Sequence, residues 1–173
     1  AMGQAQFAVC SACHGAQGEG NVLLNAPKLA GQAEWYVKRQ LKNFKHGLRG
    51  AEPNDAFGMQ MAPMAATLAD DAAIANVAAY IASLPDFLPP ATVHGDSNRG
   101  EDLYVTCQAC HGAAGQGIWS MSAPRLSRVN DWYLVRQLHN YKQGIRGAHP
   151  SDLHGKQMRL VSGVLRDDQS IND

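Results

Sequence analysis

The sequence carries the pentapeptide Cys10-Ser11-Ala12-Cys13-His14 and, 97 positions later, Cys107-Gln108-Ala109-Cys110-His111. Two cysteines three apart stand roughly one helical turn from each other, so both thiols can reach the vinyl groups of one porphyrin. The histidine that follows is then held under the iron as proximal ligand. The two pentapeptides use all four cysteines of the chain. A disulfide framework and a Cys/His zinc site are the competing readings of these residues. The adjoining histidines and the duplication in register favour thioether bonds to two haems over both.

The opposite face of each iron decides what such a centre does. The first copy offers Met59, Met61 and Met64, and proximity alone does not choose among them. Aligned at the same offset, Met59 falls on Lys156 and Met64 on Val161, whereas Met61 falls on Met158. Met61 and Met158 are therefore the expected distal ligands, with core gap-filling as the bland alternative. A thioether favours ferrous iron, so a His/Met pair raises the reduction potential. An iron closed on both faces has no position for a substrate, which points to electron transfer.

Other residues recur with the pentapeptides. Pro27 and Pro124 each stand 13 residues after a proximal histidine, placed for a backbone carbonyl to accept the imidazole Nδ1–H. Trp35, Tyr36 and Arg39, with Trp132, Tyr133 and Arg136, are candidates to hydrogen-bond haem propionates; core packing explains the aromatics almost as well. Arg49 and Arg146 are similar candidates. His46, His94, His139, His149 and His154 have no histidine in the matching place and read as surface residues. His154, four residues before Met158, is the one placed to compete for the second iron.

The repeat also dictates the elements that must position these groups. It runs without a gap from Gly3/Gly100 to Ile74/Ile171, which makes it a tandem duplication rather than a solenoid. A short helix over 3–13, and again over 100–110, delivers the cysteines. A glycine-rich loop follows (Gly15, Gly18, Gly20), where bare backbone can approach a flat ligand. An amphipathic helix is expected over 33–46, with Val37, Leu41, Phe44 and Leu48 on one face and Leu134, Leu138, Tyr141 and Ile145 repeating them. Gly47 and Gly144 stop it. A Gly/Pro-bearing loop then leads to Met61. Asp70-Asp71 start a last helix with Ile74, Val77, Ala78 and Ile81 inward, ended by Leu84-Pro85. No window alternates at period two for long, so the fold class is all-α. The domains are 1–84 and 99–173, joined by a semi-rigid linker over 85–98 that contains Pro85, Pro89 and Pro90. Asp173 aligns with Asn76, so most of the counterpart of the last helix is absent from the second copy, which is expected to be the less stable half.

At 173 residues split in two, each domain buries a modest core alone, and a covalent haem would supply missing apolar volume. Lys+Arg and Asp+Glu balance at 15 each, which argues against binding nucleic acid by bulk charge. No apolar run reaches the roughly 18 residues of a membrane span. Ala1-Met2-Gly3 reads as a processed or cloned beginning, although haem attachment of this kind implies export. Membrane association is expected only through a partner or a longer parent chain.

The motif order C-x-x-C-H, A-P-K/R-L, W-Y-x-x-R-Q-L, then Met seven residues before Leu, resembles class I cytochrome c, and the tandem arrangement resembles the dihaem cytochrome c-four group. It is also similar to cytochrome c domains fused to subunit II of terminal oxidases. The resemblance implies helices packed around one covalent haem c in each half, with His14/Met61 and His111/Met158 as axial pairs. It implies a bacterial electron carrier that is periplasmic, or the periplasm-facing domain of an anchored protein. Its partners would be redox proteins, such as a quinol-oxidising donor and a terminal oxidase as acceptor. A dihaem peroxidase or sulfur-compound dehydrogenase with one open iron is the alternative. Such chemistry needs a clustered acid/base group that neither copy supplies.

Overall fold

The computed structural model describes residues 2–173. The chain divides into two compact units, the first ending at Pro89 and the second beginning at Pro90. Among the described residues there is no strand, only the isolated bridges Asn21–Ala26 and Ile118–Ala123. The first unit holds α1 (Met2–His14), α2 (Glu34–Lys45), α3 (Ala56–Ala66) and α4 (Asp71–Ser83). The second holds α5 (Ser97–His111), α6 (Asp131–Lys142), α7 (Leu153–Val161) and the short α8 (Asp168–Asn172).

In the first unit α4 packs against α1 and α2, and α3 packs against α2. Asp70 caps α4 by accepting from Ala73 N at 2.8 Å. From there Ala73, Ile74, Val77, Ala78 and Ile81 turn one apolar stripe inward, against Phe7, Ala30, Val37, Leu68 and Leu84. Ile74 and Val77 are fully buried, each contributing about 1.5–3 kcal/mol of hydrophobic transfer. Gly3 lets α1 close on this helix, since a Cβ there would meet Asn76 O at 2.1 Å. The second unit uses the same scheme with less buried side chain. The counterpart of α4 is α8, in which Ile171, the match of Ile74, is buried.

One expectation is corrected. The residues leading to Met61 form a helix, not a loop: α3 spans Ala56–Ala66 with Pro63 inside it, and α7 repeats it. Asp55 and Asp152 cap these helices, accepting from Gly58 N and Gly155 N at 2.9 Å. Lys45 and Lys142 tie down the turn that follows each helix, donating to Leu68 O and Leu165 O. Residues of the stretch 85–98 are tied down within each unit. Lys28 holds Asp86 and the Phe87 carbonyl in the first unit. In the second, Asp131 accepts from Thr92 N, Thr92 Oγ1 and Val93 N. Asp96 then caps α5, which starts at Ser97.

Candidate functional site

Both cysteine pairs lie on the final turns of a helix, α1 or α5, and each helix ends on the histidine. Neither pair is disulfide-bonded; all four thiols are free. Burial pushes the Cys10 and Cys107 thiols up from their ordinary value, which keeps them protonated at neutral pH.

The histidines carry the most defined geometry. His14 and His111 are both buried, at 5% exposure. Each places Nδ1 2.7 Å from a prolyl carbonyl oxygen, His14 on Pro27 and His111 on Pro124. A carbonyl only accepts, so Nδ1 carries the proton and Nε2 keeps its lone pair. Burial lowers the pKa of both rings, and the carbonyl bond opposes that only in part. The neutral tautomer is thus fixed, with Nε2 as the donor atom. The loop that brings each proline back is stapled at its glycines. Gly20 N donates to His14 O at 2.8 Å, and Gly117 N to His111 O at 2.8 Å. Gly20 and Gly117 both have positive φ, and a Cβ at either would stand 2.6 Å from the amide that follows the proline. Only glycine satisfies both demands.

The methionines sort by exposure as they sort by register. Met2, Met59, Met64 and Met121 are exposed, whereas Met61 and Met158 are half-buried, on α3 and α7. His154 is exposed on α7 and His46 just past α2; His94 is exposed as well, and His139 and His149 are half-buried.

On α2 and α6 the aromatic candidates form a repeated stack. Trp35 meets Tyr36 edge-on at 5.8 Å between ring centroids, and Trp132 meets Tyr133 at 6.1 Å. The Arg39 guanidinium lies 4.8 Å from the Trp35 ring and that of Arg136 lies 5.1 Å from Trp132. Burial draws the Arg136 pKa down. Arg49 and Arg146 donate to Gln40 Oε1 and Gln137 Oε1 at 2.9 Å and sit over Phe44 and Tyr141. Sequence reasoning matched Gln40 with Gln137 but gave the pair no part; its pairing with the arginine nine residues on is visible only in the fold.

A covalent porphyrin fits these donors. Each histidine offers a neutral Nε2, two thiols stand one turn before it, and one half-buried thioether lies on a further helix. Exposed apolar side chains come from the same elements: Val9 and Val105 beside the cysteines, Phe57 on α3, and Leu153 and Leu160 on α7. Water-facing side chains of that size are what a flat apolar group would cover. Among the described residues no cluster of three His, Cys, Asp or Glu side chains could hold a bare metal ion.

The family model for cytochrome c matches residues 1–85 and 97–170. Cytochrome c4 of Azotobacter vinelandii is 33% identical, over 95% of this chain and 81% of its own length. The thiosulfate dehydrogenase electron acceptor of Stutzerimonas stutzeri is 34% identical, over 88% and 72%. Among solved structures, reduced recombinant cytochrome c4 from Pseudomonas stutzeri superposes with a TM-score of 0.77 at 29% identity, covering 98% of this chain and 92% of that one.

Proposed function

The chain belongs to the cytochrome c family and carries electrons on two covalently held haems; on that premise we propose that His14/Met61 and His111/Met158 are the axial pairs. In this reading Cys10, Cys13, Cys107 and Cys110 form the thioether bonds. The bound haem supplies one-electron chemistry between ferric and ferrous iron. The chain's own residues make that chemistry fast and confined. Pro27 and Pro124 hold each imidazole in one tautomer and one orientation through a 2.7 Å hydrogen bond. Helices capped at their N-termini by Asp55 and Asp152 hold Met61 and Met158, so the ligand set needs little rearrangement on electron gain or loss. Trp35, Tyr36 and Arg39, with Trp132, Tyr133 and Arg136, stand as propionate partners. The observation that carries the reading is the doubled one: in each unit the buried Nδ1-bonded histidine and the half-buried methionine occupy the same register. That arrangement favours an electron carrier over an enzyme, since each iron is closed on both faces.

Redox proteins are its partners. We assign the periplasm as its compartment, with a quinol-oxidising donor and a terminal oxidase as acceptor. No helix among the described residues is long and apolar enough to cross a membrane. A thiosulfate-oxidising enzyme is the second reading of the donor, favoured by the relatives named as thiosulfate dehydrogenase electron acceptors. The domains run 1–84 and 99–173 about the joining segment 85–98.

Carbon monoxide tests the axial assignment on the reduced holoprotein. The parent protein should show an unchanged visible spectrum. Met61→Ala and Met158→Ala should each bind carbon monoxide at one haem, while Met59→Ala and Met64→Ala should bind none. Binding in Met59→Ala but not in Met61→Ala would overturn the ligand assignment.

A further inference from the structure

The most deeply buried charged side chain of the first unit is a lysine that the electron-carrier reading leaves without a task. Lys28 has a side chain only 1% exposed. Its ammonium donates to Asp86 Oδ1 at 2.5 Å and to the Phe87 carbonyl at 2.6 Å, and lies 4.6 Å from the centre of the Phe87 ring. Gly31 completes the clasp: a Cβ there would stand 2.4 Å from Asp86 Oδ1. An ammonium is buried this way only when its donors are matched, because an unmatched one is expensive in a dry site.

Its place in the chain gives the clasp a consequence. Lys28 follows Pro27, and the Pro27 carbonyl and the Lys28 amide belong to one planar peptide unit. Whatever fixes Lys28 fixes the plane of the carbonyl that accepts from His14. On one side the backbone does this, with Leu29 N and Ala30 N donating to Gly18 O at 2.8 and 3.1 Å. The second unit has the same backbone bonds, from Leu126 N and Ser127 N to Gly115 O. There Arg125 stands in place of Lys28 and donates locally, to Ser127 Oγ at 3.2 Å. In the first unit Lys28 reaches across 58 residues to the joining segment.

We propose that Lys28, through Asp86 and Phe87, is a positioning residue for the first proximal histidine, fixing the Pro27 carbonyl so that the His14 hydrogen bond stays short. This rests on His14 being an iron ligand. The Nδ1–H bond makes the imidazole a stronger donor to iron, which stabilises the ferric state. Loosening it weakens that donation and raises the potential of the first haem. The second haem, set by His111 and Pro124, is the internal control.

The test uses holoprotein with Lys28→Met, which keeps the stem and removes the ammonium, and with Asp86→Ala, at a partly exposed position that should fold even where Lys28→Met does not. NMR follows exchange of the His14 and His111 Nδ1 protons with water, and a redox titration reads both haem potentials. Both variants should speed His14 Nδ1–H exchange about tenfold, the factor for loss of one ordinary hydrogen bond, and should raise the first potential. His111 and the second haem should not change. Unchanged exchange with shifts of opposite sign, down in Lys28→Met and up in Asp86→Ala, would mean that the pair acts only as two charges, and would overturn the proposal. Unchanged exchange and potentials would overturn it too. If the parent protein showed no iron-bound imidazole signals for His14, the ligand assignment itself would fall, a failure distinct from the others.

Discussion

Asp55→Ala separates the presentation of Met61, the proposed distal ligand, from the stability of the fold. Asp55 is buried at the N-terminus of α3 and accepts from Gly58 N at 2.9 Å. It is also the reason residue 58 is glycine, since a Cβ there would stand 2.0 Å from Asp55 Oδ2. Removing an N-cap side chain costs about 0.5–2 kcal/mol. Burial puts this one near the upper end, because the Gly58 amide is left unpaired away from water, itself worth about 1–3 kcal/mol. Met61 lies one turn further on the same helix. If the cap supports only the arrangement that presents Met61, losing about 1.5–2 kcal/mol moves the closed-to-open ratio by roughly 10–30-fold, at about 1.4 kcal/mol per factor of ten. The assay is affinity for an external ligand, imidazole on the ferric holoprotein, followed with the sulfur-to-iron charge-transfer band. Asp55→Ala should tighten imidazole binding at the first haem by about tenfold or more and leave the second unchanged. Asp152→Ala should do the reverse. Asp55→Asn keeps a cap oxygen and should lie close to the parent. A fall in thermal stability with no change in imidazole affinity would refute the link between the α3 cap and Met61. So would equal tightening at both haems.

Other outcomes follow from single contacts. Ile74→Ala should destabilise the first unit by about 2–5 kcal/mol, read as a lower denaturant midpoint for that unit, since Ile74 is fully buried on α4, which packs against α1 and α2. Ile171→Ala, in a helix of five residues, should cost less. Burial pushes the Asp131 carboxyl up, but bonds from Thr92 Oγ1, Val93 N, Thr92 N and Trp132 N outweigh it and hold the pKa below the usual carboxylate range. A folded-state pKa below the unfolded one contributes stability that is present above the unfolded pKa and lost as pH falls through the folded one. Asp131→Asn should therefore lower the second unit's stability near pH 7 and flatten its acid limb, the difference from the parent vanishing at low pH. An acid limb identical to the parent's would show that the Thr92–Val93 contacts add nothing.

What the sequence disclosed was what the two copies share. The bond from each pentapeptide histidine to the proline 13 residues on and the inward face of α4 follow from register and helical period, and the proposed choice of Met61 over Met59 and Met64 rests on the same register. The stretch around Met61 misled because Pro53, Gly58 and Pro63 are residues that usually interrupt helices. In the fold Pro53 lies ahead of α3. Gly58 is small because a Cβ there would meet the Asp55 carboxylate, and Pro63 removes one amide in the later half of α3 without ending it. The residues that hold α3, Asp55 and Lys45, were visible as matches to Asp152 and Lys142. Their partners are backbone groups, and a sequence does not say which backbone a side chain will meet. Lys28 was hidden for a different reason. Its match is another cation, Arg125, so the repeat suggested equivalence where the contacts differ. Duplication isolates what both haems require; a difference between the haems has to reside in residues that the duplication does not reproduce. Lys28 is such a residue, matched by Arg125, and its amide shares one peptide unit with the Pro27 carbonyl that accepts from His14.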